Sequence, residues 1–121
     1  TNYNMKTKIL FILLLFISIT AATFSQDTVS SKDAKNFIGE TRIVKGIVAS
    51  VFVSNKGTVL INFDEPYPNA TFVAVIKTGS SGVSYADVKK GSVLTISGKI
   101  EEYKGKPEII ITEQSQIIKV E

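Results

Sequence analysis

The stretch Ser92–Thr112, SVLTISGKIEEYKGKPEIIIT, decides the fold. Leu94, Ile96, Gly98 and Ile100 recur at every second position, the period of a strand with one buried face. Lys104-Gly105-Lys106-Pro107 is turn chemistry, because glycine tolerates positive φ and proline donates nothing to a ladder. Two strands joined by a tight turn are therefore predicted. Gly98, inside the first of them, marks a bulge or a close approach of backbones. The combination points to a small, strongly curved β-barrel.

Working outward, Val44-Lys45-Gly46-Ile47-Val48 repeats the pattern apolar-x-Gly-x-apolar of Ile96-Ser97-Gly98-Lys99-Ile100. It sits in a long predicted strand, Thr41 to Ser54, that ends at a hairpin signal, Asn55-Lys56-Gly57. Thr58–Phe63 and Thr71–Ile76 read as the second and third strands, separated by the loop Asp64 to Ala70. Gln116–Val120 reads as a short closing strand. Ser30–Gly39 reads as one short helix: Ser30 caps it, Ala34, Phe37 and Ile38 form an apolar stripe, and Gly39 ends it. Gly79-Ser80-Ser81-Gly82 is a flexible loop, and Val83–Lys90 is compatible with one or two helical turns. The expected fold class is all-β with a small α content. Five strands with a helical connection between the third and fourth are the order of the OB-fold, a five-stranded Greek-key barrel. An SH3-like barrel and a small sandwich are the competing all-β architectures. The helix-sized insertion favours the OB order.

The N-terminal part has a different character. Lys6 and Lys8 precede an apolar run, Ile9 to Ile19, followed by Thr20-Ala21-Ala22-Thr23-Phe24-Ser25. A basic segment, a short apolar segment and small residues describe a secretory signal peptide, with Met5 as its start. Cleavage is expected after Ser25, with Ala22 as the second choice. The apolar run falls short of the roughly 20 residues of a membrane span, so no stable anchor is expected after cleavage. The expected organisation is 1–25 as extension and signal peptide, 26–36 as a leader and the start of the short helix, and 37–121 as the OB domain. Gln26–Val29 is expected to be mobile. Removing Lys6 and Lys8 from the 14 Lys+Arg leaves one more cation than the 11 Asp+Glu. The exported protein is then nearly neutral, whereas a strong phosphate-binding footprint carries a clear basic excess.

Absences narrow the chemistry. The chain has no Cys and no His. Disulfides, the usual zinc sites, and Ser-His or Cys-His nucleophilic catalysis are excluded. Acid–base work would fall to carboxylates, Lys or Tyr. Asp64-Glu65 and Asp87 lack the spacing of a calcium loop. Gly79-Ser80-Ser81-Gly82 lacks the ending of a phosphate-binding P-loop. No cofactor, metal or catalytic residue is expected, and the chain reads as a non-enzyme.

Several segments resemble small exported bacterial OB-fold proteins, related to OB modules attached to secreted nucleases. They are Gly39-x-Thr41-x-x-Val44-x-Gly46-x-Val48, Leu60-Ile61-Asn62-Phe63, Tyr67-Pro68-Asn69-x-Thr71-Phe72-x-Ala74-Val75-Ile76, and Gly98-Lys99-Ile100-x-x-Tyr103-Lys104-Gly105-Lys106-Pro107-Glu108-Ile109-Ile110, with a closing Ser115-Gln116-Ile117. The resemblance spans about residues 37 to 119 and implies a nucleic-acid-binding OB domain. It says more about fold than ligand, since the shared residues are mostly folding motifs.

The binding face implied is that of the second and third strands, flanked by the turns after strands one and four. Single-strand binding needs aromatic platforms for bases and cations for phosphates. Phe52, Phe63, Tyr67, Phe72 and Tyr103 are the candidate platforms. Lys56, Lys77, Lys104 and Lys106 are the candidate cations, and Asn62 is a candidate partner for a base edge or sugar. Each has a plainer alternative. Phe63 and Phe72 lie in strands, where Phe is more often core, and exposed Lys is the norm. Tyr67 between two prolines also reads as a lid, and Asn62 as a partner for neighbouring backbone. The expected function is weak, sequence-tolerant binding of single-stranded nucleic acid outside the cytoplasm. The alternative is an exported module that binds a protein, a glycan or a small ligand. Convergence of the four lysines beside exposed rings would favour nucleic acid.

Overall fold

The computed structural model describes residues 27–80 and 82–121. The expected signal segment and its cleavage site lie outside them. Among the described residues, eight strands form one mixed sheet: β1 (Thr28–Ser30), β2 (Thr41–Val53), β3 (Val59–Phe63), β4 (Phe72–Ile76), β5 (Val93–Lys99), β6 (Glu101–Tyr103), β7 (Lys106–Ile111) and β8 (Ile117–Val120). Their order is β6-β7-β4-β3-β2-β5-β8, with β1 beside β2. Neighbours run antiparallel except β1 with β2 and β4 with β7.

The five expected strands are present, in the order that places the last beside the third. Alternation explains the core. Val59, Ile61 and Phe63 on β3 and Phe72, Ala74 and Ile76 on β4 point inward, as do Leu94 and Ile96 on β5 and Ile109 and Ile111 on β7. Phe63 and Phe72, cross-strand partners, meet edge to face with ring centroids 5.2 Å apart. Such a pair contributes about 0.5–1.5 kcal/mol beyond its area burial.

Both glycines of the echo are close approaches. A Cβ on Gly46 would lie 2.1 Å from Ser31 Oγ and 2.8 Å from Phe63 Cδ2. One on Gly98 would lie 2.6 Å from Ile109 Cγ2. At Gly98 the two halves of the sheet come together without closing: among the described residues the hydrogen-bonded ladder is open, and the expected closed barrel is not formed. β5 stops pairing with β2 at Lys99, and one residue later the chain restarts as β6 on β7. Ile100 makes that corner with its side chain fully buried. Its N–H donates to Glu40 O at 2.9 Å and its carbonyl accepts from Gly39 N–H at 2.7 Å. Gln116 spans the remaining gap, its Nε2 donating to Ser97 O on β5 and Ile110 O on β7, each at 3.1 Å.

Neither expected helix forms; among the described residues only two short 3-10 turns occur. Ser30, expected as a cap, belongs to β1, which pairs with Ile43–Lys45 where a mobile leader was expected. What remains is a 3-10 turn, Ala34–Phe37, with Ala34 buried. Ser31 turns inward instead and donates its hydroxyl to Asp64 Oδ2 at 2.7 Å, and Thr71 donates to the same oxygen. Asp64, at φ 68°, thus ties β1 to the β3–β4 loop. Between β4 and β5, the Gln114 side chain captures both backbone groups of Ser84, at 2.6 and 3.3 Å. That removes Ser84 from any helical ladder, and Val83–Lys90 runs as loop and turns, anchored by buried Val88.

Candidate functional site

The faces of β3 and β4 that do not serve the core form the floor of a groove of about 920 Å³. Alternation puts Leu60 and Asn62 of β3 and Val73 and Val75 of β4 on this floor. Thr58, Lys77 and Thr78 bound one end. The other side is built by Tyr67 and Pro68 of the β3–β4 loop and by Tyr103, Lys104, Lys106 and Glu108 of the β6–β7 hairpin.

The hairpin follows from its turn. Lys104 and Gly105 both take positive φ, 50° and 79°, the two-residue turn that matches strand twist. It places Tyr103 opposite Lys106. Pro107, expected to break the ladder, is instead buried inside β7, opposite Glu102. Lys106 Nζ donates to Pro68 O and so fastens the hairpin to the Tyr67-Pro68 loop, whose peptide bond is cis. Lys104 Nζ lies 5.3 Å from the Tyr103 ring centroid. The rings themselves are open: Tyr67 is 81% and Tyr103 59% exposed.

At the far end, Thr78 Oγ1 donates its hydrogen to Lys56 O at 2.6 Å. Thr58 is therefore the donor in the 3.0 Å contact between the two threonine hydroxyls. Asn62 is buried on the floor, its Nδ2 donating to Ser50 Oγ at 3.0 Å. Glu108 is half-buried beside it across Val73. Burial, reinforced by Glu101, pushes the Glu108 carboxyl above its usual range, and Lys77 partly opposes this.

Of the sequence-predicted residues, Asn62, Tyr67, Lys77, Tyr103, Lys104 and Lys106 come together around one groove. Phe63 and Phe72 do not. Both are at 0% exposure in the core, so they are no stacking platforms; the period of two assigns them to the face opposite Leu60 and Val73. The Lys56 side chain is exposed in the β2–β3 turn but does not line the groove. Phe52, 56% exposed, is the cross-strand partner of Leu60 and extends the apolar strip past the groove edge. Sequence reasoning missed Leu60, Val73, Val75 and Glu108. The alternation that buried their neighbours carried the signal, since it leaves each of them on the other face.

No family model and no curated protein matches the chain. Among solved structures, it is similar to an OBody bound to hen egg-white lysozyme, with TM-score 0.54 and 20% identity, covering 76% of this chain and 94% of that one. A second OBody bound to hen egg-white lysozyme gives TM-score 0.53 and 14% identity, covering 82% of this chain and 94% of the other. These likenesses support an OB-like fold, which the strand order shares.

Proposed function

We propose that the protein is a non-catalytic, exported OB-like module whose groove binds single-stranded nucleic acid weakly and with little sequence preference. One observation carries the reading: Tyr67 and Tyr103 stand exposed around the same groove as Lys77, Lys104 and Lys106. Aromatic faces and cations around one groove are what a single strand requires, because bases stack and phosphates pair at once. The apolar floor of Leu60, Val73 and Val75 accepts the unstacked bases. The near balance of charge argues for weak affinity. The lack of His and Cys supports a binding role over a catalytic one, and the basic-then-apolar N-terminal pattern supports export.

A protein ligand is the second reading. It is favoured by the same apolar floor, prolonged by Phe52, and by the OBodies, which hold lysozyme.

Fluorescence anisotropy with labelled oligonucleotides at several salt concentrations separates the two. Three lysines on phosphates predict that log K falls against log[salt] with a slope of about −2, taking about −0.7 per phosphate neutralised on a single strand. Absence of binding even at low salt would remove nucleic acid from consideration.

A further inference from the structure

The polar chemistry of the floor is one-sided. Ser50, Asn62, Val73, Glu108 and Glu101 form one cross-strand row through β2, β3, β4, β7 and β6. Adjacent strands are about 4.8 Å apart, so Asn62 and Glu108 stand roughly 10 Å apart on either side of Val73. That separation accommodates a nucleobase lying on the valine. Asn62 gives one Nδ2 hydrogen to Ser50 Oγ, which leaves Oδ1 as an acceptor and a single N–H for a ligand. The Glu108 carboxylate accepts no hydrogen bond from any described residue, and when ionised it can only accept. The hydroxyls of Thr58 and Thr78 are engaged at the far end, and the Lys106 ammonium reaches Pro68 O. Apart from that one Asn62 N–H, the floor thus presents acceptors to whatever base enters, with the Glu108 carboxylate foremost, while the ammonium groups belong to the rim and the phosphates.

Base edges differ in what they return. The pairing edge of guanine places N1–H and the N2 amine side by side, two donors that match the two oxygens of one carboxylate. Cytosine and adenine offer one amine next to an acceptor nitrogen. Thymine and uracil offer one N–H between two carbonyls, which a carboxylate repels. We propose that Glu108, with Asn62, is a specificity-determining residue that makes the groove prefer guanine and disfavour thymine or uracil. The inference rests on the nucleic-acid reading of the groove and narrows its sequence tolerance to a modest preference for strands containing guanine. A carboxylate in a phosphate-binding groove lowers affinity for every strand, and guanine alone recovers the loss by a bidentate pair.

The test is anisotropy at low salt with fluorescein-labelled decathymidylate and an alternating thymine–guanine decamer of the same length. A third probe replaces each guanine by inosine, which keeps N1–H and lacks the N2 amine. The thymine–guanine strand should bind about fivefold to tenfold more tightly than decathymidylate, at the low end of what a bidentate base contact provides. The inosine strand should fall between them. Glu108→Gln should tighten decathymidylate and shrink the guanine preference towards unity. A Glu108 role limited to folding would not move the ratio between two ligands. Equal binding of the three strands, or an unchanged ratio in Glu108→Gln, overturns the inference and leaves the groove a sequence-tolerant binder. Failure of all three strands to bind overturns the nucleic-acid reading itself.

Discussion

Gln116 does with one side chain what a stretch of ladder does elsewhere. Its Oε1 accepts from Thr112 N–H at 2.8 Å and Glu113 N–H at 3.1 Å, and its Nε2 reaches β5 and β7. Gly98 belongs to the same device, since a Cβ there would lie 3.0 Å from Nε2. Gln116→Ala should lower stability by about 2–3 kcal/mol in denaturant unfolding, because half-buried backbone groups lose their partners. Gln116→Glu should be similarly costly, since a carboxylate cannot donate to two carbonyls. A change within about 0.5 kcal/mol, as at an ordinary surface site, would show that the gap needs no bridge. Glu108 gives a pH signature. Its carboxyl lies above the usual 4.5 when folded, through burial first and Glu101 second. Its contribution to stability is fully present below 4.5 and is lost as pH rises through the raised folded value. The advantage of Glu108→Gln over the parent in denaturant midpoint should therefore grow between about pH 4 and pH 7. A constant difference across that range would contradict the assignment.

The elements were unequally legible. Period-two patterns gave β3, β4 and β7 to within a residue or two, and the start of β5, because each buries a continuous row of large apolar side chains and a slip would expose all of them. The two helices failed because helical propensity in short segments is weak against tertiary hydrogen bonds: Ser30 was taken by β1, and Ser84 by Gln114. The split of the long fourth strand into β5 and β6 was not readable either. It depends on Gly39 and Glu40, distant in sequence, satisfying the corner at Ile100. For the site, the hairpin turn was legible from Lys104-Gly105, and with it Tyr103 and Lys106. Of the floor only Asn62 was, as long as Phe63 and Phe72 were weighed as ligand contacts rather than as proof that Leu60 and Val73 face out. The β6–β7 hairpin and the Tyr67-Pro68 loop should carry most of the binding energy. Tyr103→Ala or Tyr67→Ala should each cost about 1–3 kcal/mol of oligonucleotide affinity, the range for losing one stacking platform. An unchanged affinity in both variants would take stacking out of the account.

At the scale of the whole molecule, fold and function part company. The OB-like strand order is supported both by pairing register and by likeness to solved structures, but a fold of this kind hosts many ligands. The overall charge excess is small, so recognition has to come from the local arrangement of three lysines, two tyrosines and one carboxylate. The central claim is that a single strand occupies the groove between β3, β4 and the β6–β7 hairpin. Backbone amide chemical shifts of isotopically labelled protein, followed during titration with an unlabelled single-stranded oligonucleotide, test it most directly. The account predicts shifts confined to Leu60, Asn62, Tyr67, Val73, Lys77 and the segment 103–108, with β1 and β8 silent. Shifts centred on β1 or β8, or none at saturating oligonucleotide in low salt, would contradict it.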